Sequence, residues 1–87
     1  WNDNQISIIS TPGHSPGSVC IFWEDKFVFT GDTLLQYPTI TRLPGGNKKI
    51  FLERTVPFLK KQTGKNLTAF PGHGGAFGFD DRIDKGF

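Results

Sequence analysis

The sequence predicts one small mixed α/β domain, and three observations support this class. Its 87 residues are enough for a single domain. Short apolar segments of strand character, separated by turn residues, come first, and one segment with helical periodicity follows them. Nine Phe, two Trp and one Tyr are a large aromatic content for this length, so we expect either a rich core or an interface.

Three strands are predicted in the first third of the chain, before Asp32. Residues 5–10 alternate in part between apolar and polar side chains and end at a Thr-Pro pair. Residues 19–23 are a continuous apolar segment, which is typical of a strand buried on both faces. Residues 27–29 resume the β pattern after a polar break, so the second and third strands should pair as an antiparallel hairpin. Asp32 then lies just past a strand end.

One helix and a short last strand are predicted in the second half. Residues 33–46 have no clear period and contain several Pro and Gly residues, which is typical of a binding loop. Asn47 can cap a helix with one apolar stripe, and Pro57 should kink or interrupt that helix. Residues 67–70 form the last predicted strand, and residues 74–87 have no readable period.

Composition excludes several classes of function. The formal net charge is only +2 and the lysines are dispersed, so no nucleic-acid binding is expected. No segment approaches the roughly 20 apolar residues of a membrane span, so no membrane partner is expected. The single cysteine, Cys20, cannot form an internal disulfide, which indicates a reducing compartment and a cytoplasmic location. The chain contains no Met and begins with Trp1, so we interpret it as part of a longer protein.

Both histidines occupy turn-forming contexts. His14 lies in residues 11–18 and His73 in residues 71–74, and both segments are rich in Pro and Gly, which hold a side chain at a loop tip. With Asp32 between them, they form a set of ligand types that suits zinc, iron or manganese. A carboxylate can bridge two cations because each of its oxygens can bind one. Each residue also has an ordinary alternative role, as a hydrogen-bonded turn histidine or a turn-capping aspartate.

Four ordered motifs carry a resemblance to a known family. They read Thr-Pro-Gly-His-Ser-Pro-Gly-Ser at 11–18, Phe-Thr-Gly-Asp-Thr-Leu at 29–34, Arg-Leu-Pro-Gly-Gly at 42–46 and Phe-Pro-Gly-His-Gly at 70–74. This series resembles the metallo-β-lactamase superfamily, and within it the glyoxalase II (hydroxyacylglutathione hydrolase) branch. The resemblance implies that His14 binds a first metal ion, that Asp32 bridges both ions and acts in catalysis, and that His73 binds the second. The cofactor implied is two divalent ions, with zinc expected first and iron or manganese as alternatives.

The fold implied by the resemblance is the αββα sandwich. The family's His-x-His-x-Asp-His motif, which supplies the other ligands, is not found in this sequence. Residues 1–87 should therefore be a single partial domain, the C-terminal half of the sandwich, with a mixed, largely antiparallel sheet and one main helix. The missing N-terminal half would be the partner that completes the site. The isolated chain should then be inactive or nearly so.

Two functions from different classes follow. The first is a binuclear metal-dependent hydrolase in which a metal-bound hydroxide attacks a small-molecule thioester or related ester. In that case Arg42 is a candidate contact for an anionic substrate, although it is also an ordinary loop arginine. The second is a non-catalytic half-domain that acts as a binding or assembly module, because the aromatic content and an uncovered sheet favour a partner.

Overall fold

The computed structural model describes residues 6–87, which form one five-stranded sheet with helices on one face. The strands lie in chain order across the sheet. Their bounds are β1 Ile6–Ser10, β2 Val19–Trp23, β3 Phe27–Gly31, β4 Thr68–Pro71 and β5 Phe77–Gly78. All neighbouring pairs are antiparallel except β3 and β4, which are parallel. The sheet is thus mixed and largely antiparallel, as predicted, and the β2–β3 hairpin is confirmed; Gln5 lies outside the described residues.

The main helical segment consists of α1 (Lys48–Ile50), a π-helical turn (Phe51–Thr55) and α2 (Val56–Lys61). Asn47 caps it as predicted, since its Oδ1 accepts a hydrogen bond from the backbone N–H of Ile50 at 3.0 Å. Pro57 lies in the first turn of α2, directly after the wide π turn. The proline has no N–H to donate, so the predicted interruption takes the form of a π turn and not of a break.

The core lies between the helices and one face of the sheet. Its buried members come from β2, β3, β4, the loops after β3 and before β4, helix α2 and a C-terminal helix over residues 79–84. They are Cys20, Phe22, Val28, Leu34, Leu59, Leu67, Ala69, Phe79 and Ile83. A burial of β2 on both faces is wrong, because only Cys20 and Phe22 of that strand are buried and Val19 is 39% exposed. The physical reason is that the described helices cover only one face of the sheet.

The opposite face of the sheet, which we call the outer face, is apolar and partly open. Strand register places these side chains together: Ile6, Ile8, Val19, Ile21, Trp23, Phe27, Phe29 and Phe70. Ile8 is 66% exposed, and the Phe29 and Phe70 rings stack with centroids 5.4 Å apart. The expected sheet with one uncovered face is therefore present.

The C-terminal tail is more regular than the sequence indicates. Strand β4 is not the last, because β5 follows it and leads into helix α3 (Phe79–Asp84). A strand of two residues is too short to show a period. The buried residues of α3, Phe79, Arg82 and Ile83, do follow helical spacing, but a charged residue in an apolar stripe conceals the pattern. In the described part of the chain, no helix combines the length and apolar content that a bilayer crossing requires.

Candidate metal centre

The three predicted ligands lie on loops that leave the same edge of the sheet. Strands β1 and β3 are both antiparallel to β2, and β4 is parallel to β3, so β1, β3 and β4 run in one direction. His14 follows β1, Asp32 follows β3, and His73 follows β4. Their positions at the carboxyl ends of these strands explain why residues so far apart in sequence meet.

Asp32 stands between the two imidazoles. Its Oδ2 lies 3.5 Å from Nε2 of His14, and its Oδ1 lies 3.2 Å from Nε2 of His73. The exposed fractions of the side chains are 26% for His14, 38% for Asp32 and 70% for His73, so the centre is open to solvent on the His73 side. Each carboxylate oxygen therefore faces a different imidazole, which is the geometry that a bridging carboxylate requires.

The backbone fixes which nitrogen of His14 carries hydrogen. Nδ1 lies 2.8 Å from the carbonyl oxygen of Ile40, and a carbonyl only accepts, so Nδ1–H must be the donor. In the neutral ring, Nε2 then presents its lone pair toward the Asp32 carboxylate, so two acceptors face each other. A cation or a proton between them relieves this conflict. Metal-binding histidines typically donate their other N–H to a carbonyl in this way, so the donor set fits a divalent ion.

The described donors do not form a closed cage. Within residues 6–87, no group of three or more His, Cys, Asp or Glu side chains is arranged to enclose a single ion. The reason is that His14 and His73 face different oxygens of Asp32 and not one common point. An ion held here would need further ligands besides these three side chains. That these residues bind metal stays a prediction.

Buried threonines tie the loops of the centre together. Thr11, Thr30 and Thr33 are all 1% exposed or less. The hydroxyl oxygens of Thr11 and Thr33 lie 3.0 Å apart, and Thr30 donates to the Leu34 carbonyl at 2.6 Å. The Thr11–Thr33 contact connects the loop before His14 to the turn that carries Asp32, and the Thr30 bond closes that turn. For Thr33 the sequence favours a hydrogen-bonding role over a nucleophilic one, because no third histidine could act as its base, and the contact with Thr11 confirms this role. The roles of Thr11 and Thr30 were not predicted from the sequence.

Two glycines allow the loops to approach their neighbours. Gly13 has a φ of +141°, and a Cβ there would lie 2.4 Å from Cβ of Phe51. The backbone N–H of Gly72 donates to the Gly31 carbonyl at 2.9 Å, and a Cβ on Gly72 would lie 3.4 Å from Oδ1 of Asp32. Both glycines directly precede a histidine of the centre. Their missing side chains thus set where the imidazoles lie.

Two arginines have unequal roles in the structure. Arg42, the predicted substrate contact, is exposed in the 33–46 loop, and no hydrogen bond or ion pair of its side chain is found among residues 6–87. It lies two residues after Ile40, which holds His14, but its role in binding stays a prediction. Arg82, which the sequence analysis missed, is only 6% exposed and donates to backbone carbonyls of the same loop.

The fold and the loops define a family. The profile of the metallo-beta-lactamase superfamily matches residues 2–78, and the chain belongs to that superfamily. The chain is similar to the human protein named acyl-coenzyme A thioesterase MBLAC2, with 31% identity over 80 residues that cover 87% of this chain and 28% of that protein. A protein of Aquifex aeolicus (strain VF5) with no assigned function is 34% identical over 71 residues, which cover 79% of this chain and 30% of that protein.

Solved structures have the same fold. The BLEG-1 B3 metallo-beta-lactamase superposes with a TM-score of 0.72 and 29% identity, covering 91% of this chain and 38% of that one. The structure of TTHA1623 in a di-iron-bound form superposes with a TM-score of 0.69 and 28% sequence identity, and the match covers 85% of this chain and 37% of that one. The predicted half of an αββα sandwich is confirmed. The chain spans less than a third of the length of the curated relatives that it matches.

Proposed function

We propose that this chain is part of a binuclear metal-dependent hydrolase that acts on a thioester or a related small ester. The observation that carries the proposal is the pairing of each Asp32 oxygen with a different imidazole Nε2, at 3.2 and 3.5 Å. Membership of the superfamily supports metal-dependent hydrolysis. The name of the thioesterase relative supports a thioester substrate. The sequence motifs favour the glyoxalase II-like branch.

The residues of the centre have distinct proposed roles. His14 would hold one divalent ion through Nε2, His73 the other, and Asp32 would bridge them. When bound, such ions polarise a carbonyl oxygen and lower the pKa of water toward neutrality. The Ile40 carbonyl keeps His14 in the tautomer that leaves Nε2 free. Zinc is the proposed metal; iron and manganese suit the same donors, and one similar structure is a di-iron-bound form.

The centre needs further ligands. Three side chains shared between two ions leave both under-coordinated, because four-coordinate geometry is usual for zinc. We therefore propose that a segment outside these 87 residues, the N-terminal half of the sandwich, supplies the rest. The isolated chain would bind metal weakly and would not turn over. The proposed substrate is a small molecule, Arg42 is its proposed anionic contact, and the cytoplasm is the proposed location.

The test compares two proteins in a thioester assay. The isolated chain and the full polypeptide encoded by the natural gene are loaded with zinc, iron or manganese and are given acyl-coenzyme A and S-acylglutathione substrates. We expect hydrolysis by the full polypeptide only, with loss of activity on chelation and in the Asp32→Asn variant. Asp84→Asn, at an exposed position, is the matched control and should keep full activity. Equal turnover by the isolated chain, or hydrolysis that survives chelation, would contradict the proposal.

A non-catalytic assembly module is the second candidate, and the apolar outer face favours it. Ile8, Val19 and Phe29 of that face are exposed in the described chain, and such a surface is typical of an interaction site. This candidate predicts a full polypeptide that hydrolyses neither substrate with any of the three metals. It also predicts that substitutions on the outer face, and not Asp32→Asn, abolish its interactions.

A further inference from the structure

Arg82 is the one arginine of the described residues that is buried. It lies in α3, and its side chain reaches across to the 33–46 loop. Nε donates to the Leu35 carbonyl, and an Nη2 hydrogen donates to the Tyr37 carbonyl at 3.1 Å. Nη1 donates to the Gly86 carbonyl at the end of its own helix. Three backbone carbonyls therefore hold the guanidinium in one orientation.

The 33–46 loop depends on such contacts because it contains no helix or strand. Its carbonyls have no ladder partners, so side chains must satisfy the buried ones. Arg82 bonds to residues 35 and 37, and Thr39 donates to the Thr33 carbonyl at 2.6 Å. The next residue is Ile40, whose carbonyl receives Nδ1–H of His14. The anchored part of the loop therefore ends at the group that orients His14.

We infer that Arg82 is a positioning residue for the metal centre. By fixing the backbone at Leu35 and Tyr37, it holds the Ile40 carbonyl where it accepts from His14, and so keeps Nε2 of His14 free for a cation. The effect of Arg82 on metal binding rests on the proposed function. Its effect on the loop and on the His14 tautomer rests only on the hydrogen bonds described above. Groups that orient a metal-binding histidine typically change metal affinity 10- to 100-fold when they are removed.

The competing explanation is that Arg82 only stabilises the fold. A variant with a purely structural defect on the same helix separates the two explanations. Ile83 is the neighbouring residue of α3, is 7% exposed and belongs to the core, and its aliphatic side chain has no donor that could bond to the loop carbonyls. Ile83→Ala therefore weakens the packing of α3 and leaves the guanidinium contacts in place. Arg82→Met removes all three donated bonds while keeping an unbranched chain, and Arg82→Lys keeps a charge that can reach some of the carbonyls.

The first measurement needs no metal. Backbone ¹⁵N relaxation reports order parameters for residues 35–40, and imidazole ¹⁵N shifts report the tautomer of His14. In the wild-type chain we expect an ordered loop and the Nδ1–H tautomer. In Arg82→Met the loop order parameters should fall below about 0.6 and the ring should become a mixture of tautomers, with partial recovery in Arg82→Lys. Ile83→Ala should keep the wild-type values. An Nδ1–H ring in Arg82→Met, or equal changes in Ile83→Ala, would overturn the inference.

The second measurement is the affinity of the chain for zinc. We expect Arg82→Met to bind about 10-fold more weakly than wild type, at the lower end of the range for such groups, and Ile83→Ala to bind as wild type does. If the wild-type chain and the full polypeptide bind no zinc, iron or manganese, the proposed function fails while the relaxation and tautomer results still decide the role of Arg82. If wild type binds and Arg82→Met binds equally well, the positioning role is refuted.

Discussion

At the scale of single residues, Cys20 illustrates how burial decides chemistry. Its side chain is fully buried, and desolvation raises the pKa of the thiol from 9.0 to about 11, although hydrogen bonds from Thr11 and Thr33 partly oppose the shift. The thiolate is the nucleophile and the metal ligand, so a thiol with this pKa is unreactive near neutral pH. Cys20 therefore acts as a small apolar core residue.

The raised pKa of Cys20 predicts a loss of stability at alkaline pH. Between pH 9 and about 11 the unfolded thiol ionises while the folded thiol keeps its proton, so the unfolded state binds fewer protons. The free energy of unfolding should then fall as pH rises, by at most about 1.4 kcal/mol per pH unit from this group. Urea unfolding at pH values of about 8 and about 10.5 measures it. Cys20→Ala is the control, because its decline should be smaller; equal declines would exclude this role of the thiol.

How much of the site the sequence predicts depends on the kind of residue. His14, Asp32 and His73 were predictable because each stands in a Pro- and Gly-rich turn after an apolar strand. Arg82 was not, because two of its three carbonyl partners lie more than forty positions away, and any residue type can supply a backbone carbonyl, so no sequence pattern indicates them. The burial of Thr11 and Thr30 was not predicted either, because a threonine is usually exposed unless tertiary contacts satisfy its hydroxyl.

At the scale of elements, the contact between the His14 loop and the main helix sets the position of the imidazole. The backbone N–H of Asn47 donates to the Gly13 carbonyl at 2.7 Å, and Phe51 of the π turn fills the space beneath Gly13. Thr55 donates to the Pro12 carbonyl, so the helix contacts two consecutive residues before His14. The helix therefore supports the loop as well as the core.

Gly13→Ala tests this contact. The new methyl group would lie 2.4 Å from Cβ of Phe51, and the φ of +141° is rarely adopted by a residue with a side chain. We expect a loss of at least about 2 kcal/mol in the free energy of unfolding, because overpacking and backbone strain add. Gly17→Ala in the same loop is the matched control, since a Cβ there has no atom within 4 Å and its effect should be small. Chemical denaturation measures the free energy of unfolding of both variants. Equal losses would contradict a specific role for the contact between Gly13 and Phe51.

The elements also differ in how well the sequence predicts them. The hairpin, the cap at Asn47 and the irregular 33–46 loop follow from local patterns, and all three are confirmed. The predicted burial of the second face of β2 was wrong. Five apolar residues in succession do not reveal whether the residues that would cover that face lie in the described chain. Strand β5 has only two residues and depends on pairing with β4, which no local pattern reports.

At the scale of the whole molecule, the open outer face and the proposed metal centre point to one common hypothesis. The outer face is apolar, and the three side chains of the proposed centre are fewer than the two proposed ions would need. Both conditions are met by one further layer packed on the sheet that also carries ligands at its edge. The chain covers only 28% of the thioesterase and 38% of the lactamase, so each of those proteins contains further residues that this chain does not match.

The most informative test of a metal centre shared by His14, Asp32 and His73 is a zinc titration of the chain in which ¹⁵N NMR monitors both imidazoles. We predict that the Nε2 resonances of His14 and His73 both shift and saturate with zinc, and that Asp32→Asn weakens both responses more than about 10-fold, since the carboxylate faces both rings. Asp84→Asn should leave both responses unchanged. A chain in which only one imidazole responds, or in which Asp32→Asn has no effect on either, would contradict a shared metal centre at this corner.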